Sequence, residues 1–161
     1  MTREKGCMDM GLFKKIIDEY ASFDPLPEAD HGGSIWLHLF GESLLAPGFD
    51  EAIYYASQKG LKPMLSINPC ALTAEKMRRL LDAKPHLLYL MVDGCDEESF
   101  SRLRGVQGLY NKTVENTLVL LKLKVELNLN VRTYDRMAMH NSLGVCLRHM
   151  GRDSRAMLPR F

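Results

Sequence analysis

The sequence has no long apolar run and little net charge. None of its apolar stretches approaches the roughly 18 to 20 residues that a membrane-spanning helix needs, which predicts that the protein does not cross a membrane. The basic residues near the N-terminus are not followed by an apolar run, so no secretory signal is predicted. A formal net charge of +1 argues against a protein that binds polyanions along its whole length. We therefore expect a cytoplasmic protein.

The chain has few cysteines, and they are widely spaced. They are Cys7, Cys70, Cys95 and Cys146. No CxxC or CxxxCxxC pattern brings two of them close together in the sequence, although metal and iron–sulfur sites commonly use that spacing. In a cytoplasmic protein we expect free thiols and no metal site built from these residues.

The length of 161 residues, with 46% apolar and 25% charged residues, is typical of one compact domain or a large piece of one. The composition changes near residue 131. Residues 1–131 contain 15 lysines and arginines against 18 acidic residues, whereas residues 132–161 contain six arginines against two aspartates. We therefore expect an α/β domain over 1–131 and an Arg/Met-rich C-terminal tail over 132–161. The tail lacks a pattern of aromatic residues between its arginines, so nucleic-acid binding is not predicted.

Amphipathic helices alternate with short apolar strands along the domain. The first helix, within residues 8–23, places five apolar side chains on one face: Met10, Phe13, Ile16, Ile17 and Tyr20. Strands are predicted at residues 34–40, 61–67, 86–92 and 125–131. Helices are predicted at residues 48–60, 72–83, 96–105 and 111–124. Gly60 is expected to end one helix and Thr73 to cap the next. Strands separated by helices are typical of βαβ units and a parallel sheet.

Polar residues follow three of these strands. Gly41, Glu42 and Ser43 follow the first strand, Asn68 follows the second, and Asp93 follows the third. Because ligands bind beyond the carboxyl ends of parallel strands, these residues could line one binding rim. The same residue types also form ordinary turns, and their spacing alone favours turns over a rim.

Strand alternation relates Glu42 to a tryptophan, a histidine and a phenylalanine. In a regular strand Glu42 shares a face with Trp36, His38 and Phe40, opposite an aliphatic set of Ile35, Leu37 and Leu39. We expect the polar and aromatic face to point to an interior and the aliphatic face to pack on helices. No second type of metal ligand stands beside His38. We therefore interpret it as a hydrogen-bonded structural histidine rather than a ligand or a base.

Five segments of the chain resemble radical S-adenosylmethionine (radical SAM) enzymes, in the order and at the separations of that superfamily. They are TREKGCMDMGLFKKIIDEYASF, LHLFGESLLAPGFDEAIYYASQKG, LSINPCALTAEKMRRLL, VDGCDEESFSRLRG and KTVENTLVLLKLK. The resemblance covers roughly residues 2–128 and is strongest to the subgroup that often carries a C-terminal SPASM-type extension.

The resemblance implies a partial (β/α) barrel that holds a [4Fe-4S] cluster and S-adenosylmethionine at the strand carboxyl ends. The cluster of such enzymes reduces the sulfonium and generates a 5′-deoxyadenosyl radical. Cofactor-binding roles are implied for Gly41, Glu42, Asn68 and Asp93. Gly41 would let the backbone approach the ligand, and the Glu42 carboxylate would accept a hydrogen bond from the methionine ammonium group. Asn68 and Asp93 would lie on the cofactor or substrate side of the rim, and no catalytic residue is assigned.

The chain also departs from the family pattern. The family's first strand and CxxxCxxC loop come shortly before TREKG, where this chain begins. We therefore expect a truncated core that lacks the first strand and the cluster ligands and is inactive alone. Ser43, Ile67, Pro69 and Met91 also differ from the family's usual residues. Without the first strand, residues 34–40 would form an apolar edge, from which we expect self-association.

Two functions follow from the sequence. In the first, the chain is a piece of a radical SAM enzyme acting on an unknown small-molecule or peptide substrate. In the second, it is a cluster-free domain of the same fold that binds a small molecule or a protein.

Overall fold

The protein is a mixed α/β structure with one parallel sheet. The computed structural model describes residues 6–23, 33–38, 41–127 and 131–136. In chain order its elements are α1 (Met10–Ala21), β1 (Ser34–Trp36), α2 (Phe49–Gln58), β2 (Lys62–Ile67), α3 (Ala74–Asp82), β3 (Leu87–Met91), α4 (Glu97–Arg104), α5 (Tyr110–Glu126) and β4 (Arg132–Arg136). The strand order is β1-β2-β3-β4, consistent with the predicted partial β/α barrel.

Each strand pairs in parallel with the strand before it in the chain. Trp36 lies opposite Met64 and Ser66 lies opposite Tyr89, while Leu87 pairs with Arg132. The carboxyl ends of all four strands therefore meet at one edge of the sheet, which is where parallel sheets place their ligand sites.

The main core lies between the sheet and the helices. Ile53 of α2, Leu80 of α3 and Leu120 of α5 pack with Leu65 and Leu88 of the sheet, and all five are at most 1% exposed. Burying a side chain of this kind stabilises the fold by about 1.5 to 3 kcal/mol. The helices thus cover one face of the sheet and leave the other face to side chains of opposite parity.

A smaller cluster attaches α1 to the domain. Ile17, Ala56 and Leu61 are buried there, with Phe13 and Tyr20 packed against them. The predicted apolar face of α1 is therefore confirmed in part. Ile16 is 42% exposed, so the buried face is narrower than the spacing of apolar residues indicated.

Local signals set several helix ends, and those at Thr73 and Gly60 were predicted. The Thr73 hydroxyl oxygen accepts the Lys76 N–H at 3.2 Å and caps α3. Gly60, with φ +78°, follows α2 in the left-handed conformation that glycine adopts without strain. Asp96 and Ser99 form a reciprocal capping box at the start of α4.

Two strand predictions were wrong in their bounds. β1 ends at Trp36 rather than at residue 40, and residues 39–40 lie outside the described residues. Residues 125–131 were predicted as a strand, but α5 continues to Glu126 and so includes the start of that run. Packing of α5 against the core, through Leu120, favours the helix. The fourth strand is instead β4, at the start of the segment assigned to the tail. Residues 137–161 lie outside the described residues, so their assignment to a separate tail stays a prediction.

No helix in the described ranges is long and apolar enough to cross a membrane.

Candidate functional site

Gly41 and Glu42 turn the chain away from the sheet just after β1. Gly41 has φ +99°, and a Cβ added there would meet no atom within 4 Å. The glycine is therefore required by backbone conformation and not by lack of space. Glu42 comes next, and its carboxylate accepts the Leu44 N–H at 3.2 Å, which caps the 3₁₀ turn Ser43–Leu45.

The second Glu42 oxygen reaches the end of the neighbouring strand. Oε2 accepts the Asn68 backbone N–H at 2.8 Å. Asn68 in turn uses its Oδ1 atom to accept the Cys70 N–H at 3.1 Å, capping the 3₁₀ turn Pro69–Ala71. The structure therefore brings two of the residues implied by the resemblance into direct contact at the carboxyl ends of β1 and β2.

Two residues that depart from the family pattern have structural roles in these turns. The Ser43 hydroxyl donates to the Leu37 carbonyl at 3.0 Å. Pro69 is buried at the first position of its 3₁₀ turn, where a proline costs no internal hydrogen bond. Both residues are therefore part of the local turn structure.

Asn116 of α5 contacts the 3₁₀ turn Pro69–Ala71, and the sequence did not predict this contact. Its side-chain amide donates to the carbonyls of Pro69 at 2.9 Å and Leu72 at 3.2 Å. The sequence signal for such a contact was a single one, an amide side chain within a helix predicted to be amphipathic. Helix α5 and Glu42 thus position the loop after β2 from two directions.

Asp93 has a different partner. It lies after β3 with φ +53°, and its Oδ2 atom forms an ion pair with Arg104 Nη2 at 2.8 Å. The same nitrogen donates to the Met91 carbonyl at 2.9 Å, while the buried Arg104 Nε atom has no hydrogen-bond partner. The structure therefore pairs Asp93 with α4, whereas Glu42 and Asn68 contact each other.

Gly94 next to Asp93 is fixed by packing. A Cβ at this position would lie 2.8 Å from the Phe100 backbone nitrogen and 2.9 Å from its Cα. Only glycine fits this approach of the loop to α4. The turn after β3 is therefore held by an ion pair on one side and by close backbone packing on the other.

Three rings lie together on the sheet face opposite the helices. The Trp36 ring centroid is 5.1 Å from that of His38 and 5.4 Å from that of Tyr89. His38 Nδ1 accepts the Ser66 N–H at 3.2 Å, and burial lowers the pKa of His38 against a smaller opposing effect of the Glu42 charge. The shared face of Trp36 and His38 and the structural hydrogen bond of His38 are therefore confirmed. Tyr89 was not anticipated.

The residues of the described ranges do not fit an iron–sulfur cluster. No group of three or more histidine, cysteine, aspartate or glutamate side chains there is placed to hold a metal ion. Cys7 is exposed and Cys70 and Cys95 are half-buried, all as free thiols, while Cys146 lies outside the described residues. We therefore derive no chemistry through a cluster. Glu42 does fit an ammonium group, since each carboxylate oxygen keeps acceptor capacity beyond its backbone bond.

Known proteins similar to this chain depend on S-adenosylmethionine (AdoMet). The chain is 29% identical over 123 residues to an AdoMet-dependent heme synthase of Methanosarcina barkeri, covering 76% of the chain and 33% of that protein. It is 27% identical over 121 residues to the AdoMet-dependent heme synthase of Nitratidesulfovibrio vulgaris, covering 75% and 32%. The chain thus spans about a third of the length of the curated relatives it matches. These relatives support the resemblance to radical SAM enzymes.

A solved structure, that of archaeal TYW1, superposes with a TM-score of 0.49 at 23% identity and covers 81% of this chain and 44% of that one. No protein-family model matches the chain.

Proposed function

We propose that the chain is a radical-SAM-like core that binds S-adenosylmethionine at the carboxyl ends of β1 and β2. The observation that carries the proposal is the Glu42 carboxylate, fixed between Leu44 and Asn68 at this edge of the sheet. The similarity to AdoMet-dependent proteins supports the same assignment.

Glu42 is the proposed recognition residue for the positive charge of the ligand. Two backbone N–H groups hold its carboxylate in one orientation, so little side-chain entropy remains to be lost on binding. The methionine ammonium group would donate to a remaining lone pair. Gly41 and Asn68 shape the adjoining backbone. Asp93, paired with Arg104, is proposed to line the rim further along the sheet.

S-adenosylmethionine supplies, when bound, a sulfonium group whose carbon–sulfur bonds can be broken. We propose reductive cleavage only for a whole protein that provides a cluster, and binding without cleavage for these 161 residues alone. The SPASM-type subgroup, the cytoplasmic location, the substrate and the absence of nucleic-acid binding stay predictions.

Calorimetric titration of S-adenosylmethionine tests the assignment. A charge-assisted hydrogen bond is worth about 1.5 to 3 kcal/mol, so Glu42→Gln should weaken binding roughly 10- to 100-fold. Glu75→Gln is the matched control, because Glu75 lies on α3 with its side chain 79% exposed. Circular dichroism of each variant checks the fold. Equal affinity of wild type and Glu42→Gln, or no binding to wild type, would refute the proposal.

The alternative function is that of a cluster-free binding domain. It is favoured by the cysteine spacing and by the half-exposed Trp36 on the face opposite the helices. Anaerobic reconstitution with iron and sulfide compares the two. Stoichiometric iron in a cluster spectrum would exclude the cluster-free domain, whereas binding of a different small molecule or of a protein, with no iron and no S-adenosylmethionine bound, would support it.

We also propose that the chain self-associates through β1. Among the described strands β1 lies at an edge of the sheet, and its Trp36 is 46% exposed. The strand has three residues, which limits the number of unpaired backbone groups it offers. Light scattering over a range of concentrations should show a rising average mass. A monodisperse monomer at high concentration would contradict this proposal.

A further inference from the structure

We propose that the exposed face of α1 is a dimer interface, on which α1 of a second copy of the chain packs antiparallel across a two-fold axis. This face, the α1 stripe, consists of Leu12, Ile16, Glu19 and Phe23. It is a different surface from the edge of β1, and the proposal is independent of the S-adenosylmethionine site.

The first support is that α1 carries more apolar surface than its own domain covers. One side of the helix buries Ile17 in the smaller core, and another side forms ion pairs with α2. Outside these contacts Leu12, Ile16 and Phe23 remain 51%, 42% and 59% exposed. Soluble monomers rarely expose large apolar side chains side by side, so the stripe is suited to a protein partner.

The second support is that the stripe runs along the helix. At about 3.6 residues per turn, Leu12, Ile16 and Glu19 lie within about 60° of one another around the helix axis. Residues at spacings of three and four are neighbours on a helix surface. Phe23 follows the end of the helix and extends the stripe. The stripe therefore has the shape that a second helix needs for packing.

The third support is a carboxylate within this apolar stripe. Glu19 comes between Ile16 and Phe23, and its side chain is 68% exposed. Its ion pair with Lys15 of the same helix is long, at 3.9 Å. A carboxylate that a partner covers needs a cation beside it. In an antiparallel pair Lys15 of each copy faces Glu19 of the other, so the stripe is complementary in charge to itself.

The fourth support is that one axis satisfies all of these contacts. A two-fold interface makes each contact twice, between residues at equal distances on either side of the axis. The pairs are Leu12 with Phe23, Lys15 with Glu19, and Ile16 with Ile16 of the second copy. With a rise of about 1.5 Å per residue, the midpoints of these pairs lie within about 2 Å of one another along the helix.

The size of the stripe indicates a weak dimer. A single pair of helices buries less than the total of roughly 1,200 to 2,000 Å² that is typical of stable interfaces. The dimer should therefore form in proportion to the concentration of the chain.

Charge reversal tests the interface in the whole chain. Sedimentation equilibrium over a range of concentrations should show monomers and dimers of the wild type. Lys15→Glu and Glu19→Lys should each weaken dimerisation at least about 10-fold, because like charges then face each other across the axis. An equimolar mixture of the two variants should restore dimers, since the charges that face each other are opposite again. Restoration by mixing cannot come from the ion pair within one helix.

Lys112→Glu on the exposed side of α5 is the matched control and should leave dimerisation unchanged. A second readout compares Ile16→Gln with Val119→Gln at residues that are 42% and 40% exposed, and only the first should weaken dimerisation. Circular dichroism checks the fold of each variant. A wild type that stays monomeric, or a mixture that does, would overturn the proposal. Self-association that both charge variants leave unchanged would place the interface elsewhere, the β1 edge included, and would also overturn it.

Discussion

Glu42 and Asn68 are 26 positions apart in the sequence, yet the Glu42 Oε2 atom accepts the Asn68 backbone N–H at 2.8 Å. This bond connects the turns that follow β1 and β2. Removing the carboxylate therefore affects two turns at once.

Glu42→Ala should lower the free energy of unfolding by about 1 to 3 kcal/mol, since two half-buried N–H groups lose their acceptor. Urea denaturation followed by circular dichroism measures the change. Glu75→Ala is the control, with a side chain 79% exposed, and should change the stability little. Equal stabilities of wild type and Glu42→Ala would show that water replaces the carboxylate without cost.

Arg104→Lys should destabilise the turn after β3 by about 1 kcal/mol, because a lysine ammonium cannot reproduce the guanidinium geometry that reaches both Asp93 and the Met91 carbonyl. Hydrogen exchange should also become faster at residues 92–95. Arg102→Lys on the exposed side of the same helix is the matched control. Unchanged hydrogen exchange in Arg104→Lys would show that Arg104 does not stabilise this turn.

Gly94→Ala should cost about 1 to 3 kcal/mol or more, because the new methyl group would overlap the Phe100 backbone, which cannot move without shifting α4. Thermal unfolding measures the loss. Gly6→Ala is the control, since a Cβ there meets no atom within 4 Å. Similar melting temperatures for the two variants would contradict the close approach of the loop to the helix.

Stability should also decrease with acid through His38. Burial lowers the pKa of His38 in the folded chain below its ordinary value of 6.5, so the unfolded chain takes up the proton first. The free energy of unfolding should therefore fall as the pH decreases below about 6.5 and level off below the folded-state pKa.

His38→Asn retains an acceptor for the Ser66 N–H but does not titrate in this range, so it should reduce the difference in stability between about pH 5 and pH 7.5. Chemical denaturation at the two pH values makes the comparison. If the free energy of unfolding of His38→Asn depends on pH as in the wild type, groups other than His38 cause the dependence.

The sequence predicted those features that depend on local chemistry. The Thr73 cap and the left-handed Gly60 that follows α2 need only a few neighbouring residues, and both are confirmed. The position of β4 was missed, because its pairing with β3 is a long-range contact, while the alternating pattern at 125–131 competed with the helical spacing that buries Leu120. Local pattern cannot decide such a competition, since tertiary packing overrides it.

The candidate site shows the same division. Motif resemblance pointed to Glu42 and Asn68, but their contact depends on the register of β1 against β2, which no local signal encodes. The pairing of Asp93 with Arg104 and the proximity of Tyr89 to Trp36 likewise depend on how distant elements dock. Their cofactor roles stay predictions.

Because every strand pairs with the one made just before it, the sheet can grow in the direction of synthesis. Each described strand after β1 can pair with a strand that has already been synthesised. No later strand has to insert between two described strands that are adjacent in the sequence. Assembly of this kind keeps the newest strand as the exposed template at every stage. The order β1-β2-β3-β4 is thus compatible with folding that proceeds strand by strand during synthesis.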